Sequence, residues 1–210
     1  MVKLTKRLNA VASLVSLGSS VADVGCDHGY VPVYLVKNNI AASCVAMDIN
    51  EKPLASCERL VKEEMLEERI KTRISNGLEK LEKGECNTVI IAGMGGELIV
   101  DIISRCSFSN ELHFILQPMT HPEYVRKYLY DNGYEIYNDI IVNEGKHLYS
   151  VFDTKYTGKI TPKTQKDYFL GNIKDFSQKD YFLHLLNYLN NKAKSGVDLT
   201  EAISAVEEIL

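Results

Sequence analysis

The sequence lacks several features that would place it in other classes of protein. No apolar run approaches the length of a membrane span, and the basic start MVKLTKRLNA is not followed by the apolar stretch of a signal peptide. The five cysteines are scattered, odd in number and without a CxxC pair, which argues against a disulfide framework and a zinc site. We therefore expect a cytoplasmic protein with no membrane segment, no metal and no obligate protein partner.

Positive charge is also scarce overall, since the net charge is −4, and this balance does not indicate a nucleic-acid binder. Its distribution is uneven, however. Residues 155–194 hold eight lysines against three aspartates, and the first seventeen residues hold Lys3, Lys6 and Arg7 and no acid. Basic zones of this kind can attract phosphates, but a solvated lysine face on ordinary helices is the simpler explanation from charge alone.

Strand-like and helix-like segments alternate along the first two thirds of the chain. After an N-terminal helix over residues 5–17, strands are predicted in SVADVG, CVAMDI, RIKTRIS, NTVIIAG and HFILQP, with helical segments between them, and two antiparallel strands follow in residues 134–156. Repeated βα units imply a parallel sheet with right-handed crossovers. Because the series ends on a hairpin, fold analogy favours an α/β class I (Rossmann-like) methyltransferase domain over residues 1–158.

Residues 159–210 have a different pattern. Apolar side chains recur at helical spacings, first around Phe169 and Ile173 and then around Phe182 and Leu189. After a break at Ser195-Gly196, the segment LTEAISAVEEIL predicts one more amphipathic helix. We expect a C-terminal helical, coiled-coil-like extension that packs on itself or on the preceding domain.

Three groups of residues fall at the predicted carboxyl ends of successive strands, where open α/β sheets bind their ligands. They are Asp23, Gly25 and Gly29 in the loop DVGCDHG, Asp48 with Ile49 after the second strand, and Asn76 with Gly77 after the third. Each is ambiguous alone, because it is also explained by a tight connection, a helix cap or a simple turn. Together they predict a nucleoside site in which Asp48 accepts both ribose hydroxyls and Asn76 bonds an adenine edge.

The first loop also indicates which nucleoside is bound. A dinucleotide site requires GxGxxG and cradles a pyrophosphate, whereas this loop is GxxxG with Asp27 at its centre. A carboxylate there repels pyrophosphate but suits a ligand that carries positive charge. The sequence therefore favours S-adenosylmethionine, which has a sulfonium and an ammonium group and no phosphate, over NAD.

A fourth group follows the fourth strand, in the segment AGMGGELI. Enzymes that methylate exocyclic N6 of adenine usually carry an Asp/Asn-Pro-Pro-aromatic loop here, and this chain has none. We expect Ala92, Gly93 and Met94 to contact the cofactor, and Gly95 and Gly96 to leave space for a flat substrate. Ring N1 already has an in-plane lone pair and needs little beyond alignment and charge relief. The alternative interpretation is a plain strand end followed by helix entry.

Several of these motifs, taken in order, resemble one family. The segments DVGCDHGYVP, NGLEKL, IAGMGGELI, ILQP and NEGKHLYSV are similar to those of the TrmK family, the bacterial tRNA (adenine-22-N1)-methyltransferases. The resemblance runs from about residue 3 to residue 155. It implies S-adenosylmethionine as cofactor, tRNA as partner and a helical C-terminal domain. The chain departs from the family pattern at Cys26, Gly29 and Asn76, and Met119 to His121 have no clear role.

The remaining candidates concern catalysis and RNA binding. We expect Asp27 to stabilise the cationic adenine that forms, with His28 orienting it and Tyr30 stacking on the extruded base. The alternatives are a helix N-cap for Asp27, a structural histidine for His28 and a core aromatic for Tyr30. Lys3, Lys6, Arg7 and the lysines of residues 155–194 are the candidate tRNA contacts. A methyltransferase that acts on a protein or small molecule stays open as the alternative function, and an NAD-dependent enzyme or non-catalytic RNA-binding module is disfavoured.

Overall fold

The computed structural model describes residues 2–160 and 162–210, and these contain one seven-stranded sheet. Met1 and Thr161, which the predicted domains 1–158 and 159–210 include, lie outside the described residues. The strands are β1 (Ser19–Val24), β2 (Ala41–Asp48), β3 (Ile70–Ile74), β4 (Thr88–Gly95), β5 (His113–Thr120), β6 (Tyr134–Glu144) and β7 (His147–Tyr156). They lie in the order β3-β2-β1-β4-β5-β7-β6.

The first five strands are parallel, and the last two form the predicted hairpin. Strand β1 pairs in parallel with both β2 and β4, so the order of the sheet reverses at this point. Strand β7 inserts antiparallel between β5 and β6. This is the topology that the sequence predicts by fold analogy, and the predicted class I methyltransferase fold is confirmed.

Helices cover both faces of the sheet, as the apolar character of its central strands requires. They are α1 (Lys6–Ser13), α2 (Tyr30–Lys37), α3 (Glu51–Glu63), α4 (Gly96–Arg105) and α5 (Pro122–Asp131). Alternate residues of each strand enter two separate cores. Ala22 and Val24 of β1 pack on the side of α4 and α5, whereas Val21 packs with α1, α2 and α3. The segment LEKLEKG, predicted to be a helical turn, instead forms non-helical turns.

The C-terminal extension has a third core of its own. Its helices are α6 (Gln165–Leu170), α7 (Lys179–Ala193) and α8 (Thr200–Glu207), and their apolar faces enclose Phe182 and Leu189. Ile141 and Leu148 of the β6–β7 hairpin pack against this core. The extension therefore packs both on itself and on the preceding domain, and the long apolar pattern of residues 163–194 is broken between α6 and α7.

A buried ion pair attaches the extension to the sheet. Arg126 of α5 and Asp139 of β6 have no exposed side-chain surface, and two hydrogen bonds of 2.9 and 3.1 Å join them. The same guanidinium donates to Ser150 Oγ and to the carbonyl oxygens of Tyr168 and Phe169 in α6. Burial alone would lower the pKa of Arg126, but the charge of Asp139 raises it. The guanidinium is therefore charged, and each of its nitrogens has a partner.

Candidate active site

The carboxyl ends of β1, β2 and β4 are neighbours in the sheet, so three of the four predicted groups of residues lie close to the point where the strand order reverses. The remaining group, Asn76 and Gly77, follows the neighbouring parallel strand β3 at the same edge. The sheet order thus brings the predicted residues to one edge of one domain. We call this edge, with Asp23 to Tyr30, Asp48, Ile49 and Ala92 to Gly96, the strand-end site.

The loop between β1 and α2 uses most of its backbone donors internally. The N–H groups of Gly25 and Cys26 both donate to the carbonyl oxygen of Met47, at 2.8 and 3.0 Å, and Gly29 N–H donates to Cys26. These groups are not free to cradle a phosphate, unlike those of a dinucleotide-binding loop. These bonded N–H groups, like the acid at the centre of the loop, disfavour a pyrophosphate ligand.

Two buried carboxyl groups lie at the ends of β1 and β2. Asp23 is 5% exposed, and burial, together with the nearby charge of Asp48, raises its pKa to about 7. Asp48 is also buried, and its Oδ1 accepts the backbone N–H of Asn50 at 2.8 Å. Asn50 occupies the N-cap position of α3 without a side-chain cap bond. Ile49 is 60% exposed beside them and offers an apolar surface at the edge of the site.

Asp27, His28 and Tyr30 project from the same loop into solvent. Asp27 adopts a left-handed conformation with φ of 49°, which is uncommon for a residue other than glycine. It does not cap α2, because Gly29 occupies the N-cap position with φ of 76°. His28 and Tyr30 are also exposed, with ring centroids 5.6 Å apart, so neither is a core residue. The structure therefore does not support an N-cap role for Asp27, a structural role for His28 or a core position for Tyr30.

The glycines of the site make close contacts within the protein. A Cβ on Gly25 would lie 2.4 Å from Cε of Met94, and one on Gly29 would lie 2.4 Å from Sγ of Cys57 in α3. Gly77 approaches Ile102 of α4 in the same way. Because glycine has no side chain, the loops at these positions pack closely against β4, α3 and α4. Only the Gly25 contact involves the flexible end of a side chain that faces the strand-end site.

Asn76 lies after β3, at the same edge of the sheet, in the turn that Gly77 completes. Its Nδ2 donates to Oε1 of Glu79 at 2.9 Å, and Ser75 Oγ donates to the carbonyl oxygen of Gly77. The side-chain oxygen of Asn76 is the part of the amide that this contact does not use. Asn76 thus retains an acceptor for a ligand edge.

The AGMGG segment ends β4 and begins α4. Gly93 has φ of 81°, and its N–H donates to Oε1 of Gln117 at 3.0 Å. Gly95 pairs with Thr120 of β5, and Gly96 starts the helix. A Cβ on Gly96 would lie 2.5 Å from the carbonyl oxygen of His121, so the loop after β5 occupies that space. Ala92 is partly buried against the core on the α1 side of the sheet.

Arg7 lies at this segment, apart from the other N-terminal cations. Its guanidinium donates to Gln117 Oε1, the atom that also accepts Gly93 N–H, and stacks over the ring of Tyr149. Its backbone N–H donates to Glu144 at 2.7 Å. Lys3 and Lys6 are exposed, by contrast. Arg7 therefore differs from Lys3 and Lys6, with which its charge groups it in the sequence. Gln117 is a functional candidate that the sequence signals only as a polar residue in the apolar strand HFILQP.

The comparisons with known proteins agree with this geometry. A family model described as a methyltransferase domain matches residues 4–152. A curated tRNA (adenine(22)-N(1))-methyltransferase from Bacillus subtilis is 37% identical over 151 residues, which are 71% of this chain. The crystal structure of B. subtilis TrmK, an m1A22 tRNA methyltransferase, matches with a TM-score of 0.83 and 28% identity, over 100% of this chain and 95% of that one. The chain belongs to the TrmK family.

Other relatives extend the TrmK match over the whole chain. Streptococcus pneumoniae Sp1610, a proposed tRNA (m1A22) methyltransferase solved in complex with S-adenosyl-L-methionine, has a TM-score of 0.88 at 29% identity. That match covers 99% of this chain and 100% of the other. The sequence alignment with the curated B. subtilis enzyme spans 63% of that enzyme's own length. Within the described residues, no helix of this TrmK-family chain has the length and apolarity needed to cross a membrane.

Proposed function

We propose that this protein uses S-adenosylmethionine to methylate N1 of adenine 22 in tRNA. The observation that carries the proposal is the strand-end site: two buried carboxyl groups and an exposed third lie at a loop in which the N–H groups of Gly25, Cys26 and Gly29 are already bonded within the protein. The activity named for the B. subtilis relative gives the substrate. We expect the protein to act in the cytoplasm, where tRNA is available.

The residues of the site fit the cofactor. Asp48 keeps Oδ2 free of backbone bonds and would hold the ribose hydroxyls, while Ile49 offers an apolar surface to adenine. Asp23, whose carboxyl is balanced between its two protonation states near neutral pH, would receive the cationic amino-acid part. When bound, S-adenosylmethionine supplies an electrophilic methyl group on its sulfonium. The residues at this edge thus provide negative charge where the cofactor carries positive charge.

The substrate side needs alignment and charge stabilisation. The AGMGG segment offers backbone groups and no polar side chain, which suits a nucleophile such as N1 that has its lone pair in the ring plane. Methylation at N1 makes the base cationic, and the Asp27 carboxylate at the mouth of the site would stabilise that charge. Nε2 of His28 lies 3.7 Å from Oδ1 of Asp27, so His28 would orient that carboxylate. Tyr30, whose ring lies beside that of His28, would stack on the extruded base.

Arg7 has a different role from Lys3 and Lys6 in this proposal. Because Gln117 and Tyr149 fix its guanidinium beside Gly93, Arg7 would bind the phosphate of the nucleotide that enters the site. Lys3, Lys6 and the lysines of residues 155–194 would add non-specific attraction to the tRNA backbone. The extension over residues 159–210 would then form the second tRNA-binding region.

The test is to incubate the protein with unmodified bacterial tRNA and labelled S-adenosylmethionine and to map reverse-transcription stops. We expect one stop at adenine 22, and its loss when that adenine is replaced by guanine. Methyl transfer to protein or small-molecule acceptors that tRNA does not compete away would favour the alternative function. Label incorporation without a stop at adenine 22 would refute the proposed position.

A further inference from the structure

A cleft of about 370 Å³ lies between the end of β5 and helix α7. One wall is the segment from Met119 to Glu123, which includes the residues that sequence analysis left without a role. The other wall is one face of α7, because its four lining residues are spaced by three, four and seven positions. These are Tyr181, His184, Leu185 and Tyr188, with Leu148 and Phe169 completing the lining. We call this space the tail cleft.

The tail cleft adjoins the AGMGG segment of the strand-end site. Thr120 of the cleft pairs directly with Gly95. The carbonyl oxygens of Thr120 and His121 lie 2.9 and 2.5 Å from the position that a Cβ of Gly96 would occupy. The absence of a side chain at Gly96 therefore lets the cleft wall lie directly against the segment where the substrate base is expected.

Contacts within the protein hold the two walls of the tail cleft together. Oε1 of Glu123 accepts hydrogen bonds from Tyr188 Oη at 2.8 Å and from Lys192 Nζ at 3.2 Å. Arg126, which is held by Asp139, donates to the carbonyl oxygen of Phe169 and so fixes this residue of the cleft lining. The cleft is thus formed before any ligand arrives, which lowers the entropic cost of binding.

The chemistry of the lining suits a nucleotide. Tyr188 and Met119 are 37% and 44% exposed and offer an aromatic ring and an apolar side chain to a flat base. His121 and His184 add hydrogen-bonding side chains at the cleft. Among the described residues that line it, the single acid is Glu123, and its charge is already met by Lys192. The cleft therefore presents no uncompensated negative charge to a phosphate.

We propose that the tail cleft binds the base of a nucleotide adjacent to adenine 22, an inference that rests on the proposed function. An enzyme that modifies N1 must turn the adenine out of its stack, which deprives the neighbouring base of a stacking partner. The ring of Tyr188, whose hydroxyl bonds Glu123 in the cleft wall, replaces that partner. An RNA base is favoured over a second copy of this chain because the cleft is small and lies beside the site of the extruded adenine.

The test measures tRNA affinity for the full-length protein, using intact tRNA and tRNA with an abasic residue on either side of adenine 22. Tyr188→Leu, which keeps an apolar side chain but removes the ring, is expected to weaken binding of intact tRNA about tenfold. The wild-type protein should lose a similar factor on one of the abasic tRNAs, and the two changes together should cost little more. Tyr188→Phe should retain the sensitivity to the missing base.

A control variant lies on the same helix. Leu183→Ala changes an exposed side chain outside the cleft lining and should leave tRNA affinity unchanged. If the losses of tRNA affinity caused by Tyr188→Leu and by the abasic residue are fully additive, the inference is wrong. The ring would then affect binding only by stabilising the folded protein and not by contacting that base. Unchanged tRNA affinity with reduced self-association in sedimentation would instead assign the cleft to a second copy. Methylation at adenine 22 by the wild type distinguishes either failure from failure of the proposed function.

Discussion

The strand-end site and the Arg126–Asp139 pair both place charged side chains where sheet and helices meet, but they treat charge in opposite ways. The pair is fully enclosed, and four other groups of the protein complete its hydrogen bonds: the Ser150 hydroxyl, the Asn172 N–H and the carbonyl oxygens of Tyr168 and Phe169. In the strand-end site Asp23 is buried beside a second acid, and Asp27 is exposed in a left-handed conformation. The Arg126–Asp139 pair, whose charges neutralise each other, fixes the C-terminal extension to the sheet. The carboxyl groups of Asp23 and Asp27 have no cationic partner of this kind and lie where a cationic ligand is expected.

The largest expected effect comes from breaking the satisfied pair. Arg126→Met leaves the Asp139 carboxylate buried without an opposite charge, and we expect the free energy of unfolding to fall by about 3–5 kcal/mol. Chemical denaturation measures the loss, and hydrogen exchange in α7 and α8 should rise with it. The double variant Arg126→Met/Asp139→Leu should recover much of the stability. Exposed Lys127→Met is the matched control, and an equal loss there would show that the pair is not the cause.

The next effect concerns the exposed charge at Asp27. Asp27→Asn removes the carboxylate but keeps a side chain that tolerates the left-handed conformation, so Tm should not change. We expect kcat on tRNA to fall by about a hundredfold, because charge on the methylated base loses its stabilisation. Single-turnover kinetics measures it, with Glu67→Gln as an exposed acid outside the site. A wild-type kcat in Asp27→Asn would remove Asp27 from the mechanism.

The third effect compares Arg7, whose guanidinium is held in place by Gln117, with the exposed Lys6. Arg7→Gln should raise the KM for tRNA about tenfold and reduce the salt dependence of binding by about one phosphate contact, with cofactor affinity retained. Lys6→Gln, one residue away and exposed, should change the KM much less. Arg7→Lys should not restore binding, because a lysine cannot reproduce the fork of donors fixed by Gln117. Equal effects of the Arg7 and Lys6 variants would contradict a special position for Arg7.

The remaining effect is the pH dependence of stability that Asp23 contributes, which appears only when the pH is varied. Burial and the charge of Asp48 raise its pKa from 3.8 to about 7, so the folded state binds a proton that the unfolded state has lost between these values. The free energy of unfolding contributed by Asp23 therefore falls as the pH rises through this window and levels off above it. Asp23→Asn should flatten the profile, by about ten degrees of Tm across the window. Thermal melts from pH 4 to 8 measure this, and identical profiles for the two proteins would contradict the raised pKa.

Local patterns were sufficient to predict much of the fold. The alternation of apolar strands and helices predicted the parallel sheet, and side-chain periodicity predicted the hairpin after α5. The antiparallel insertion of the last strand was expected from fold analogy, because periodicity alone does not show it. The positions of Asp23, Asp48 and Gly93 at strand ends followed because carboxyl ends of parallel strands share one edge. The helical extension was also predicted, but not the non-helical segment between α6 and α7 or the third core shared with Ile141 and Leu148.

The sequence by itself determined the order of βα units, the loop chemistry that excludes pyrophosphate and the family motifs, because these depend on residues close together in the chain. Only the tertiary structure placed Arg7 on Gln117, which is 110 residues away, and Tyr188 on Glu123, which is 65 residues away. It also assigned the N-cap of α2 to Gly29 and left Asp27 exposed. Such contacts depend on how helices pack across the sheet, and no local periodicity encodes which distant polar side chains meet.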